Sequence, residues 1–281
     1  MNKTHIKIKC TDDFELAATL YEPNSIKGAI MMAPATGIKK GFYNSFASYL
    51  AENGYGVICY ENRGIGKSIK GNINKIDASL INWGKLDMSA VLDKLKTSFP
   101  NQSYHLIGHS AGGQLAGLMN NSLQLKSMLN FASSSGSLRN MTYPFKLTAL
   151  FFMNVFIPLS NFLFGKSNSH WVAMGEPLPK LVAKQWRKWC NGKGYVATDF
   201  DKEIKSHLYD ELKFPSMWLY AKDDAIANIT NVKEMAGVYS QSKAEIVVID
   251  PNELESKQIG HMGFFSSKNK ELWKYALKWL N

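Results

Sequence analysis

The sequence predicts an α/β fold: a mostly parallel central sheet with helices on both faces and a helical insertion. Continuous apolar runs, such as 28–34 and 55–60, are typical of strands that are buried on both faces. Amphipathic helix patterns alternate with these runs, for example at 42–53. The alternation stops after residue 135 and resumes near residue 215, which predicts that an inserted segment interrupts the domain.

The predicted elements fill one domain. With 281 residues, the chain is long enough for a large α/β domain that carries an insertion. We assign residues 1–135 and 200–281 to the α/β core and residues 136–199 to a helical lid or cap. The expected strands are 4–10, 15–22, 28–34, 55–60, 104–107, 126–132, 215–221 and 245–249, the first two as a hairpin. The expected helices are 42–53, 83–98, 111–120, 229–239 and 268–280.

The three cysteines, Cys10, Cys59 and Cys190, are too few for a disulfide framework and have no metal-ligand spacing. They suit a reducing compartment. The N-terminal residues alternate polar and apolar side chains and contain no apolar secretory region. We therefore expect a cytoplasmic protein, whose oligomeric state the sequence does not predict.

The net charge of +10 is concentrated in the insertion. Residues 136–198 contain eight Lys or Arg residues and a single acidic residue, Glu176. Such a balance favours an acidic partner, either a nucleic acid or an anionic membrane surface. No nucleic-acid-binding motif accompanies the charge, so we expect no nucleic-acid partner.

Residues 108–112, Gly-His-Ser-Ala-Gly, fit the pattern G-x-S-x-G between an apolar strand and a helix pattern. In this setting the pattern is typical of a nucleophilic serine on a sharp strand-to-helix turn. The glycines on either side of Ser110 allow the close backbone approach that such a turn requires. The hydroxyl then lies at the start of a helix, where backbone N–H groups favour a developing oxyanion. We therefore predict that Ser110 is a nucleophile.

A serine nucleophile needs a histidine base that is held by a carboxylate. Among the six histidines, His261 follows the last predicted strand and precedes the last predicted helix. This is the position of the base in the chain order Ser, Asp, His, so we predict His261.

The acid is expected at the end of a strand that follows the nucleophile. No acidic residue stands at the end of strand 126–132, whereas strand 215–221 ends at Asp223 and Asp224. Side chains alternate in direction at the end of a strand, so only one of the two can reach His261. We choose Asp224, with Asp223 as the alternative.

Two backbone N–H groups are expected to bind the oxyanion. The first belongs to Ala111, the residue after the nucleophile. The second should come from the turn after strand 28–34, in which Pro34 has no N–H. We favour Ala35 and keep Thr36 as the alternative; the other interpretation is a tight turn without this role.

With these motifs the chain resembles the α/β-hydrolase superfamily. Within it, the chain is similar to a bacterial group of predicted α/β-hydrolases near the serine aminopeptidase and monoglyceride-lipase-like branch. The matching stretches are 33–43 (APATGIKKGFY), 60–68 (YENRGIGKS), 108–114 (GHSAGGQ), 185–190 (QWRKWC) and 260–265 (GHMGFF). The resemblance implies the α/β-hydrolase fold and a catalytic triad of Ser110, Asp224 and His261. The sequence departs from many relatives in lacking His-Gly in the oxyanion turn and in having Glu61 where Asp is usual.

Residues 147–164 form an apolar stretch of about 18 residues, the lower limit for crossing a bilayer. Because this stretch lies inside one domain and contains Asn154 and Pro158, we expect a buried or lid helix pair rather than a membrane span. Segment 180–190 separates basic from apolar side chains at helical spacing. This combination predicts an acyl or otherwise apolar substrate, presented at an anionic membrane surface. The alternative is ordinary packing with a solvated cationic face.

We therefore expect a serine hydrolase, carboxylesterase-like or lipase-like, that cleaves an ester in preference to an amide. Its partner would be a small-molecule ester or acyl substrate, and neither a cofactor nor a metal is expected. Two alternatives remain: an acyltransferase that uses the same triad, and a non-catalytic ligand-binding protein with this fold.

Overall fold

A computed structural model of the chain describes residues 1–172 and 174–280. The strands are β1 (Asn2–Lys9), β2 (Glu15–Glu22), β3 (Gly28–Ala33), β4 (Tyr55–Tyr60), β5 (Tyr104–His109), β6 (Ser127–Phe131), β7 (Lys166–Ser167), β8 (Leu178–Pro179), β9 (Ser216–Ala221) and β10 (Ala244–Ile249). The α-helices are α1 (Asn44–Glu52), α2 (Leu80–Asn82), α3 (Ser89–Ser98), α4 (Ala111–Gln114), α5 (Phe145–Phe151), α6 (Ile157–Phe164), α7 (Lys180–Asn191), α8 (Ile229–Val238) and α9 (Lys274–Leu280). A π-helical segment, Trp83–Met88, joins α2 to α3.

The central sheet has eight strands in the order β1-β2-β4-β3-β5-β6-β9-β10. β2 is antiparallel to both β1 and β4, and every other neighbouring pair is parallel. All residues of β3, β4 and β6 are buried. Because side chains alternate across a strand, complete burial means that both faces of the sheet are covered. The predicted mostly parallel sheet is confirmed.

The helix predicted over 111–120 is shorter than expected, because α4 ends at Gln114. The Tyr239 hydroxyl donates to the carbonyl of Gly113 at 2.7 Å, and the Tyr209 hydroxyl donates to that of Gln114 at 2.6 Å. These carbonyls would accept the next hydrogen bonds of a continuing helix. The chain instead makes a 3-10 turn, Ala116–Leu118. The last predicted helix likewise begins with 3-10 turns, and only α9 is α-helical.

The segment between β6 and β9 contains the apolar stretch. Its described residues contribute no strand to the central sheet. The expectation of a helix pair is wrong, because α5, a π-helical turn (Phe152–Phe156) and α6 form one helix, Phe145–Phe164. Pro158 lies inside this helix, directly after the π-helical turn, so its missing N–H falls where the regular α-helical hydrogen bonding is already interrupted. The wider π-helical turn before it leaves the helix unbroken.

The helix Phe145–Phe164 has the length and the mean hydropathy, 1.8, of a membrane span, and 33% of its apolar window is buried. The buried part is one face, which packs on the hydrophobic core through side chains such as Ala149, Met153 and Ile157. Both ends of the segment return to adjacent strands of one sheet. The helix therefore lies along the domain, with one face packed and the other exposed.

The buried His105 of β5 predicts a pH-dependent stability. Its Nδ1 lies 2.8 Å from the Ser127 hydroxyl, and burial, with the nearby charge of Lys126, lowers its pKa to about 4. An unfolded histidine takes up a proton near pH 6.5. Between pH 6.5 and 4 the unfolded chain therefore binds a proton at this histidine that the folded chain does not bind. Lowering the pH in this range destabilises the fold.

We expect His105→Gln to remove this contribution. As the pH falls from 6.5 towards 4, the free energy of unfolding of the parent should decrease relative to that of the variant by up to about 1.4 kcal/mol per pH unit. Urea unfolding at pH 7, 6 and 5 measures the difference. If the two proteins lose stability in parallel, the histidine is protonated in the folded state as readily as in the unfolded state.

Candidate active site

Ser110 stands at a strained turn between β5 and α4. Its φ of 47° and ψ of −112° are unusual for a residue with a side chain. Its N–H donates to the Phe131 carbonyl at 3.0 Å, which fixes the turn to the end of β6. A Cβ at Gly108 would lie 2.4 Å from the nitrogen of Gly113, and one at Gly112 would lie 2.1 Å from the Ala33 carbonyl oxygen. The turn therefore requires glycine at both positions, as the pattern predicts.

The structure brings Ser110, His261 and Asp224 together. The Nε2 atom of His261 lies 3.0 Å from Ser110 Oγ, and its Nδ1 atom lies 2.8 Å from Asp224 Oδ2. An ionised carboxylate can only accept, so Nδ1–H donates to Asp224 in this arrangement. Nε2 is then free to accept the hydroxyl proton of Ser110. The three predicted side chains are thus arranged in a line of two hydrogen bonds.

The Asp224 carboxylate is buried and fully bonded. Its Oδ1 atom accepts the N–H groups of Ile226 and Ala227 at 2.8 and 2.9 Å. Burial alone would raise the pKa of Asp224, but the charge and hydrogen bond of His261, together with these N–H groups, lower it. Asp224 is therefore held ionised beside the imidazole.

Asp223 has a different place, which the sequence interpretation missed. Its two oxygens accept the N–H groups of Ile259 and Gly260, both at 2.9 Å. The adjacent carboxylates therefore have different partners: Asp224 binds the ring of His261, while Asp223 fixes the backbone that leads to it. The signal for this second role was the presence of two adjacent aspartates after one strand, where the catalytic arrangement needs a single carboxylate.

The hydrogen bonding of the turn after β3 contradicts the choice of Ala35 as an oxyanion donor. The N–H of Ala35 donates to the Tyr43 hydroxyl at 2.9 Å and is therefore already used. Among the described residues, the N–H groups of Thr36 and Ala111 have no acceptor. Thr36, the alternative considered from the sequence, thus has a free N–H in this turn and lines the same cavity as Ser110.

His109, the residue before Ser110, forms a buried link that the sequence did not suggest. Burial and the neighbouring His261 lower the pKa of His109 to about 3, so its ring is neutral. Its Nε2 lies 3.0 Å from the His261 carbonyl oxygen, which can only accept. Nδ1 must then accept from the Tyr43 hydroxyl, 2.8 Å away. This Ala35–Tyr43–His109 chain connects the turn after β3 to the backbone of His261.

A cavity of about 290 Å³ opens at Ser110, between the core and the insertion. Thr36, Ser110 and His261 line it on the core side. Large apolar side chains line it from the insertion, and they include Leu138, Met141, Phe145, Phe151, Phe152, Met153, Phe156, Val172, Met174 and Trp186. No Asp, Glu, Lys or Arg is among the described residues of its wall. Ser110 and His261 thus face a mainly apolar space.

The described residues contain no group of three or more His, Cys, Asp or Glu side chains that could hold a metal ion. The three cysteines are free and buried.

The family described as Serine aminopeptidase, S33, matches residues 24–251. No curated protein sequence matches the chain. Solved structures are similar over almost the whole chain. DcsB, solved with its substrate analogue, has a TM-score of 0.65 and 14% identity, with 99% of each chain covered.

Two further structures are named as hydrolytic or degrading enzymes. Est816, described as an N-acyl homoserine lactone degrading enzyme, has a TM-score of 0.64 and 17% identity over 97% of this chain and 99% of that one. A Pyrococcus furiosus esterase has a TM-score of 0.63 and 14% identity over 99% and 90%. At such identities the similarity shows the fold alone, and it confirms the predicted α/β-hydrolase fold.

The Ala35–Tyr43–His109 chain predicts a stability cost for losing one hydroxyl. Tyr43→Phe leaves a buried N–H and a buried ring nitrogen without partners, so the free energy of unfolding should fall by about 2 kcal/mol or more. Tyr60→Phe is the matched control, because the Tyr60 hydroxyl is buried and has no partner among the described residues. That variant should change stability by less than about 1 kcal/mol. Equal losses of stability in urea unfolding of the two variants would contradict the hydrogen bonds assigned to the Tyr43 hydroxyl.

Proposed function

Since the chain belongs to the serine aminopeptidase S33 family of α/β-hydrolases, we propose that it hydrolyses acyl compounds with Ser110 as nucleophile, His261 as base and Asp224 as acid. The observation that carries the proposal is the pair of hydrogen bonds through His261, 3.0 Å to Ser110 Oγ and 2.8 Å to Asp224 Oδ2. Both are within hydrogen-bond range, and the contact with Ser110 is short enough for proton transfer. The pair sits at the wall of a cavity large enough for a small substrate.

The reaction follows from which atoms can move a proton. Nε2 of His261 takes the hydroxyl proton while Ser110 Oγ attacks the acyl carbon, and the carbonyl oxygen becomes an oxyanion. The free N–H groups of Thr36 and Ala111 stabilise that charge. Asp224 stabilises the imidazolium, which then gives its proton to the leaving alcohol. Water, activated by the same ring, attacks the acyl-enzyme and releases the acid.

The cavity wall supports an apolar acyl group. A free N-terminal ammonium, as an aminopeptidase binds, would need a carboxylate nearby, because an unpaired charge is costly to bury. The described wall carries no Asp or Glu, only hydroxyl, amide, thiol and imidazole groups among apolar side chains. We therefore propose an ester substrate in preference to a peptide with a free N-terminus, with its acyl chain among Phe152, Met153 and Trp186.

A fluorophosphonate probe tests the proposed nucleophile. We expect the parent protein to be labelled, and Ser110→Ala and His261→Ala to lose labelling, because the serine is then absent or not activated. A protein that stays unlabelled while folded would instead be a non-catalytic binder.

The two aspartates provide a matched pair for the proposed acid. Asp224→Asn should lower kcat by about 10³–10⁴-fold, because the amide can no longer hold the imidazole in its reactive tautomer. Asp223→Asn should cost less than about tenfold, since its side chain bonds backbone and not the ring. Initial rates on a p-nitrophenyl ester measure both. The opposite ranking would transfer the acid role to Asp223.

A panel of p-nitrophenyl esters of increasing chain length tests the proposed substrate class. We expect kcat/KM to rise by up to about fourfold for each methylene that the cavity can bury. Ala149→Leu, which narrows the cavity, should move the optimum to shorter chains. Preference for acetyl in the parent protein would contradict the role of the apolar wall. Product analysis with an added alcohol separates hydrolysis from acyl transfer.

A further inference from the structure

The helix Phe145–Phe164 exposes a continuous apolar surface, which we call the outer face. Its side chains recur every three or four residues and are all exposed: Leu147, Phe151, Val155, Leu159, Phe162 and Leu163. Phe162 is 84% exposed, a value typical of charged side chains. Trp171 and Val172 continue the surface beyond the helix. No charged residue occurs from 147 to 164.

Such a surface is unfavourable in water. At a rise of 1.5 Å per residue, the face is about 25 Å long. Single exposed apolar residues are ordinary, but a contiguous row of this size marks a place where something else binds. In the described structure the opposite face of the same helix already packs on the core, so the outer face is not needed for folding.

The charges around the outer face favour an anionic partner. Lys146 precedes the outer face and Lys166 follows it. Lys180 is exposed and lies against the helix, since its carbonyl accepts from Asn161 Nδ2 at 3.3 Å. Within residues 136–198 the single acidic residue, Glu176, is paired with Lys39 at 2.8 Å. The apolar face is therefore flanked by cations without a free acid among them.

This pattern selects a lipid surface over a second copy of the chain. In a bilayer interface, the apolar side chains enter the acyl region and the lysines meet the phosphates of anionic lipids. In a symmetric pair of chains, the same face would meet itself and bring like charges together. Length and hydropathy alone would also fit a membrane span, but a span would require the packed face to leave the core.

The outer face meets the mouth of the cavity. Phe151 and Val172 belong to the exposed apolar surface and also line the cavity at Ser110. We propose that the outer face docks on an anionic lipid bilayer and that an acyl substrate passes from the bilayer into the cavity beside these two residues. The docking stands by itself, whereas the passage of substrate rests on the proposed function.

Vesicle co-sedimentation of the full chain tests the docking. With vesicles that contain about one-third phosphatidylglycerol we expect binding that weakens as salt is raised, and weaker binding to phosphatidylcholine alone. The double variant Leu159→Asp with Phe162→Asp should bind at least about tenfold less, because it places charge in the apolar face. Leu123→Asp is the matched control, since this leucine is equally exposed but outside the insertion, and it should bind like the parent.

Two results would overturn the proposal. One is a parent protein that stays in the supernatant with both vesicles. The other is a dimer in sedimentation equilibrium that the double variant dissociates, because a second copy would then cover the face.

Enzyme assays separate docking from catalysis. Neither Leu159 nor Phe162 lines the cavity, so the double variant should hydrolyse a short, water-soluble ester at the parent's rate. It should lose activity on a long-chain ester held in anionic vesicles. Vesicle binding without hydrolysis of any ester would keep the docking and refute the proposed function. Equal activity of both proteins on the vesicle substrate would refute the passage from the bilayer.

Discussion

The contact between Gly112 and the carbonyl of Ala33 governs the geometry of the site. A side chain at Gly112 would meet that oxygen at 2.1 Å, so the first turn of α4 lies directly on the end of β3. This close approach gives Ser110 its strained backbone. It also places the turn after β3 next to the start of α4, so N–H groups from two separate elements lie beside one hydroxyl. The same backbone contact therefore positions the Ser110 hydroxyl together with the N–H groups that we propose as oxyanion donors.

Much of this arrangement could be predicted from the sequence, because local patterns control it. Apolar runs predict the buried parallel strands, and the glycines around Ser110 predict the turn. The relationship to the serine aminopeptidase branch is confirmed by the family match. Chain order was enough to choose His261 and the Asp223–Asp224 pair, which the structure places together as expected.

Two of the failures share one physical origin: a distant side chain decides the bonding of a local backbone group. The choice of Ala35 failed because the Tyr43 hydroxyl takes its N–H. The helix after Ser110 is cut short because tyrosines far along the chain take its carbonyls. No pattern within a few residues carries this information. The uninterrupted apolar helix was missed for a different, local reason, since Pro158 ordinarily signals a break and the π-helical turn beside it removes the conflict.

Two helices of the insertion, α7 and Phe145–Phe164, contact the core in different ways. On one side, α7 is fixed to the core, because Gln185 Oε1 accepts the N–H of Leu80 at 2.8 Å. Trp189 Nε1 donates to Asp199 at 2.6 Å, which ties α7 to the end of the same segment. Gln185 of the QWRKWC stretch therefore serves as an anchor. The charge of Lys188 is also neutralised there, by Asp199 and Glu203, so only part of the basic segment faces solvent as a cation. On the other side, the helix Phe145–Phe164 is held by one face alone.

The position of His109 has a mechanical consequence. This ring belongs to the residue before Ser110, yet it holds the carbonyl of His261. A displacement of the serine turn would therefore carry the histidine backbone with it, and the distance between Ser110 Oγ and His261 Nε2 would change little. This spacing is set inside the core, by parts that are bonded to one another, and it does not depend on the position of the segment between β6 and β9.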